Sequence, residues 1–238
     1  IVGVSVMISS FRNTVADWLD TTLGADIYVS APLLTSTRAT VGMDPELREL
    51  VRGVDGVTRV SAARSTTATS PDYPDMPPVN LTATDFDISE GARRFVWNSA
   101  PDGDYAAALD NDGVMVSEPF AYRRTITPQN NMLTLNTDDG PQTFEIFGVF
   151  YDYSTDQGTV FMDMDTYHRY WDDRQISSIA AYADDPAAIP EIIDQLETDT
   201  LAGLEVQVQS NRALRQGVFE VFDQAFSITV ALRLLATV

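Results

Sequence analysis

Both ends of the chain are apolar runs with helical spacing, and they frame whatever folds between them. Residues 226–238, FSITVALRLLATV, carry Arg233 as their single charge. At the other end IVGVSVMI carries none, and Phe11, Val15, Trp18, Leu19 and Leu23 follow as a helical stripe. This spacing predicts a helix from residue 1 to about Leu23, stopped at Gly24. Ser210 is placed to N-cap a second helix, striped by Leu214, Val218, Val221, Phe222 and Ala225, that turns apolar nearly all round from Phe226. Neither apolar run reaches the ~20 residues of a bilayer span, yet each is long enough for half of one. The two ends therefore read either as ordinary helices packed on the core or as the end of one transmembrane helix and the start of a second. No basic region precedes the first run and no small-residue cleavage site follows it, so it does not read as a signal peptide. Arg233 fits membrane depth only against a partner helix or with its head snorkelling.

With 238 residues, the chain can bury roughly 70% of its unfolded surface as one large domain or two lobes. Thirty-five acids, 26 of them Asp, face 15 Arg and no Lys, for a net charge of -20. Such a field repels polyanions and excludes nucleic acid as a partner. The acids are spread along the chain and read as a solvated acidic surface. With no Cys, disulfides, thiol nucleophiles and Cys-ligated metals are excluded.

Between the ends, ADIYVSAP, MDPELRELVRGVDGV and VTRVSAARSTTA read as strand, helix and strand, the helix capped by Asp44 and ended by Gly53 and Gly56. ISSIAAYA, a helix over 186–198 and LEVQVQS repeat the pattern. SPDYPDMPP, with four prolines in nine residues, marks a boundary near 70–78. Beyond it come strands over 79–83, 114–117, 132–136, 142–151 and 159–163, short helices over 118–124 and 165–171, and a TDDG hairpin turn at 137–140. The fold class expected is α+β. It has one lobe of two β-α-β units from both ends of the chain, residues 24–75 and 175–209. A β-rich lobe, 76–174, is inserted, and helices 1–23 and 210–238 flank the whole and continue into transmembrane helices.

SSFRNTVADWLDTTLGADIYVS, VMVSEPFA, FGVFYDYSTDQGTVFMD and VQSNRALRQGVFEVFDQAFSITVALRLLA stand in the order and spacing of landmarks of the FtsX-like ABC transporter permeases, the group of MacB, LolC/LolE and DevC. The chain resembles the extracytoplasmic domain of that family over nearly its whole length. It departs at TPQNN, residues 127–131, where relatives carry a Gly-Asp turn. The resemblance implies an inner-membrane protein whose periplasmic segment lies between the first two transmembrane helices. It further implies export or extraction of a lipid, lipoprotein, peptide or drug, or signalling across the membrane, coupled to ATP hydrolysis. The partners implied are an ABC ATPase subunit, a second permease subunit in a homo- or heterodimer, and a periplasmic adaptor, carrier or cell-wall hydrolase. It implies no cofactor in this chain, ATP being bound by the separate ATPase. Consistently, there is no phosphate-binding loop and no Lys to complete one. The alternative reading is a soluble ligand-binding or scaffold protein whose helical ends pair in a homodimer.

No catalytic or metal-binding constellation is expected. His168 is the single histidine and lacks a nucleophile elbow around Ser117 or Ser154. Asp152, Asp156, Asp163 and Asp165 do not follow calcium-loop spacing, and Asp163 or Asp165 suits a helix cap. Arg93–Arg94 and Arg123–Arg124 are the densest basic spots and read as surface pairs with local acids. Arg93, Arg94, Phe95, Trp97 and Tyr105 make the stretch 92–105 the candidate partner-facing edge, with a core strand as its alternative.

Overall fold

The computed structural model describes residues 2–32, 39–86, 94–100, 104–152 and 154–235. A ten-stranded mixed sheet organises them. In chain order its strands are β1 (Ile27–Ser30), β2 (Val57–Ala68), β3 (Val79–Thr84), β4 (Phe95–Asn98), β5 (Val114–Ser117), β6 (Met132–Thr137), β7 (Gly140–Phe150), β8 (Val160–Asp163), β9 (Ser178–Ala183) and β10 (Gln207–Ser210). They lie side by side as β10-β1-β9-β2-β3-β8-β5-β7-β4, with β6 beside the first half of β7.

The expected β-α-β units are present, but as split units. Strand β9 lies between β1 and β2, and β1 lies between β9 and β10, all paired antiparallel. The helices that close these units, α2 (Leu47–Arg52) and α6 (Ile189–Gln195), cover one face of this half of the sheet. Ile27, Val29, Val60 and Ile179 meet Val51 and Ile192 there in one buried cluster. Each such side chain contributes roughly 1.5–3 kcal/mol by leaving water. Helix α2 starts later than its sequence signal: Asp44 accepts the Glu46 N–H at 2.9 Å, and regular helix begins at Leu47.

Strand β2 is long enough to serve two neighbourhoods. Val57–Ala63 pairs with β9, and Ala63–Ala68 pairs with β3. On the β3 side a second cluster packs Leu81, Val116, Leu133, Ile146 and Met162 under Phe120 of α4 (Glu118–Arg124) and Tyr167 of α5 (Met164–Tyr170). On the opposite face α3 (Tyr105–Asp110) covers a smaller cluster of Leu109, Met115, Phe147 and Phe150. The TDDG turn joins β6 to β7 with Thr137 paired to Gly140, whose φ is +103°. TPQNN also forms a tight turn, closed by reciprocal hydrogen bonds between Thr127 and Asn130.

The first and last helices are α1 (Val2–Thr22) and α7 (Asn211–Leu235). Ser210 caps α7 by accepting the Ala213 N–H at 3.1 Å. Among the described residues no helix is long and apolar enough to cross a membrane. The side chains of residues 1–9 and 225–238, Arg233 included, lie outside what the structure describes.

Candidate coupling site at the base of the terminal helices

Strands β1 and β10 are neighbours in register, Ile27 opposite Ser210, so α1 enters the sheet at the point where α7 leaves it. Asn211 fastens the two. Its Nδ2 donates to the carbonyls of Leu23 at 2.8 Å and Ala25 at 2.6 Å, and its backbone N–H donates to Asp26 O at 2.8 Å. Those carbonyls follow the end of α1, where backbone acceptors lose their helical partners. Asp26 extends the joint to β9: its N–H donates to Ala181 O and its carboxylate accepts the Ala183 N–H. The Tyr28 hydroxyl accepts the Ala25 N–H at 3.1 Å. Burial pushes this phenol up to about 12, against the Ala25 hydrogen bond, so it stays neutral across physiological pH.

One turn along α7, Arg215 donates from Nε to Asn211 Oδ1 at 2.5 Å and pairs with Asp20 of α1. Further out Arg12 pairs with Asp223 at 2.9 Å and lies over the Phe219 ring at 4.9 Å. Arg12 and Asp20 are eight residues apart on α1, and Arg215 and Asp223 eight apart on α7, in reversed order. The helices thus run antiparallel in one register, held at two levels ~12 Å apart. Arg12 and Asp223 are about half exposed, so their pair fixes register more than it adds stability.

Beside the joint, the face of the sheet opposite α2 and α6 carries small side chains. Ser61, Ala63, Thr82, Ser178 and Ala180 floor a groove of about 490 Å3. It shares Thr22 and Phe161 with a cavity of about 400 Å3 between α1 and the end of β7.

The candidate partner-facing residues lie away from the joint, at the sheet edge formed by β4. Phe95 stacks on Tyr105 at 5.0 Å, Tyr105 reaches Phe147 at 6.5 Å, and Trp97 packs against the larger core cluster. The three aromatics are half-buried, whereas Arg94 and Val96 are exposed. Arg93 lies outside the described residues.

Arg123 pairs with Asp156 as expected of a surface residue. Arg124 corrects that expectation: it is 5% exposed, its guanidinium 4.0 Å from the Phe120 ring centroid and 5.4 Å from that of Tyr73. The acids of YDYSTDQGTVFMDMD, residues 151–165, diverge. Asp152 accepts from Ser154, Asp163 caps α5 through the Asp165 N–H, and Asp165 is exposed. Among the described residues no three His, Cys, Asp or Glu side chains converge as metal ligands. His168 is half-buried; burial, then Arg174, lowers its pKa below 6.5.

The joint escaped sequence reasoning because Asn211 and Leu23 are 188 residues apart. Its one local signal is the reversed charge pair, Arg12 and Asp20 against Arg215 and Asp223.

The family model of the MacB-like periplasmic core domain matches residues 1–199. An uncharacterized ABC transporter permease protein of Mycobacterium tuberculosis is 36% identical over the whole chain, which spans 28% of that relative's length. The fold is similar to the periplasmic region of MacB from Actinobacillus actinomycetemcomitans, with 12% identity and a TM-score of 0.52 over 82% of this chain and 93% of that one. It is also similar to the extracellular domain of the ABC-type transporter YknZ from Gram-positive bacteria, with 12% identity and a TM-score of 0.53 over 78% and 99% of the two chains.

Proposed function

The chain belongs to the MacB-like periplasmic core domain family, and from that premise we propose that it is the extracytoplasmic coupling domain of an ABC transporter permease subunit. In this reading a separate ATPase subunit binds ATP, and its cycle moves helices continuous with α1 and α7. The domain passes that motion to a substrate or a partner outside the cytoplasmic membrane. The substrate classes are those the family resemblance implies, a lipid, lipoprotein, peptide or drug, with signalling to an adaptor or cell-wall hydrolase as the non-transport variant. A second permease subunit completes the assembly. The domain itself is assigned no chemistry.

The observation that carries this reading is the joint at Asn211. Two helices held in one register, and tied to neighbouring strands β1 and β10, cannot move separately from the sheet. A soluble scaffold needs no such joint, since apolar packing alone would hold its helices.

The test uses the whole permease with its ATPase, spin-labelled at the 87% exposed Tyr122 in both permease subunits. The expected result is a label-to-label distance that changes between nucleotide-free and ATP-bound states, with the change lost in Asn211→Asp. An unchanged distance while ATP is hydrolysed at the normal rate would refute the proposal.

A further inference from the structure

The 400 Å3 cavity between α1 and the end of β7 collects charges of both signs that do not neutralise one another. Asp17 and Trp18 come from α1, Phe150 from the end of β7 with Tyr151 and Asp152 just after it, and Arg94 from just before β4. Among the described residues none of Asp17, Asp152 and Arg94 forms a salt bridge. Asp152 is 7% exposed, and its carboxylate is held by the Ser154 N–H at 3.0 Å and the Ser154 hydroxyl at 2.7 Å. Buried charges are ordinarily paired, because leaving water costs several kcal/mol per ion. Here two hydrogen bonds orient the carboxylate, and no cation pairs with it among the described residues.

The walls are aromatic. Phe150 meets Phe161 edge-on at 5.4 Å, and Arg94 lies 5.9 Å from the Tyr151 ring centroid, with its carbonyl accepting the Tyr151 N–H. Aromatic faces beside carboxylates favour an ammonium group, quaternary ammonium above all. A guanidinium favours a phosphate or carboxylate, which its fork can grip with two hydrogen bonds. A ligand of one sign would leave part of the lining unmatched, whereas a ligand carrying both signs matches all of it.

We infer that this cavity binds a small zwitterion, its ammonium between Trp18 and the carboxylates of Asp17 and Asp152 and its anionic group on Arg94. Free zwitterions and lipid headgroups share this chemistry. The groove that shares Thr22 and Phe161 with the cavity offers room for the body of a longer molecule. The site rests on its own geometry, whatever role the domain has in a permease. Because it touches α1 and the sheet at once, an occupant would bear directly on how the first helix sits.

The experiment titrates the chain with phosphocholine, choline and inorganic phosphate, followed by tryptophan fluorescence and calorimetry. Phosphocholine is expected to bind about tenfold tighter than choline, the gain of one charge-assisted contact. Asp17→Asn weakens choline and phosphocholine alike, by about fivefold, and leaves phosphate unchanged. Arg94→Ala brings phosphocholine down to the choline level. Both side chains are exposed, so the variants fold, and unchanged circular dichroism checks it. Monomeric dihexanoylphosphatidylcholine binding more tightly than phosphocholine assigns a lipid headgroup; equal binding assigns a free zwitterion; both uphold the site. Phosphocholine binding no tighter than choline overturns it, as do wild-type affinities in both variants.

Discussion

Replacing Asn211 tests the joint most directly. Asn211→Ala removes two hydrogen bonds to the Leu23 and Ala25 carbonyls and one from Arg215 Nε. Each net contribution is ~1 kcal/mol, and Ala25 is 1% exposed, so its carbonyl has little water to turn to. The loss is about 3 kcal/mol in urea unfolding at pH 7. Asn211→Asp separates donors from mere packing. The carboxylate keeps the shape and the contact with Arg215, yet it turns an oxygen towards two carbonyl oxygens. It is expected to lose ~2 kcal/mol at pH 7 despite the added Arg215 attraction. Those carbonyls favour the protonated form, so its pKa is raised in the fold. The folded state then binds the extra proton, and the variant recovers stability relative to wild type as pH falls through that pKa. Hydrogen exchange should locate the damage at the β1–α7 junction while the core amides stay protected. Wild-type stability in Asn211→Asp at pH 7, or a loss under about 0.5 kcal/mol in Asn211→Ala, would refute the reasoning.

Other consequences follow from particular contacts. The register places Ala16 opposite Phe219, so Ala16→Cys with Phe219→Cys should close a disulfide in this cysteine-free chain under mild oxidation; a partner moved to Glu220→Cys should not. Asp173 is half-buried, and its desolvation alone would raise its pKa, but hydrogen bonds from Arg64 and the Gln175 N–H hold it below 3.8. Its stabilisation is therefore complete above pH ~4 and lost as pH falls through the folded value, so Asp173→Asn should cost ~2 kcal/mol at pH 6 and progressively less below pH 4. Gly158 has φ +74°, and a Cβ there would sit 2.3 Å from Phe120 N and 2.6 Å from Ser117 Oγ; Gly158→Ala should cost ~3 kcal/mol or more in thermal unfolding. Thr125 caps α4 in the left-handed region at φ 54°, a poor place for a β-branched residue, and Thr125→Gly should raise stability by ~1 kcal/mol.

Local signals carried the fold a long way. VMVS, the helix at Glu118–Arg124 and the TDDG turn form where period, caps and turn chemistry place them. Helix α3 was not anticipated: YAAALD has a single large apolar residue on its core face, and its cap, Asp104 accepting the Ala107 N–H, stands among many aspartates. Arg124 was misread from its neighbour Arg123, although it stands one helical turn after Phe120, on the same face. Strand order was beyond reach, because the insertion of β9 between β1 and β2 depends on pairings more than 100 residues apart. The zwitterion cavity is hidden for the same reason: its charges come from residues 17, 94 and 152.

The polarity of the joint has a mechanical meaning. Apolar burial is non-directional and holds helices together without itself selecting one register. The α1–α7 pair instead meets through a bifurcated amide and two ion pairs, each satisfied at one register only. The two ion pairs add little stability of their own, since Asp20 is 64% exposed and the Arg12–Asp223 pair about half so. What the joint sets is position. Axial displacement of either helix by one residue, ~1.5 Å, would break the Asn211 bonds before it disturbed the core. On the proposed coupling role, a push along one helix would be shared with the other and reach β1 and β10 together, and the continuous strand pairing would carry it on to β2 and the far half of the sheet.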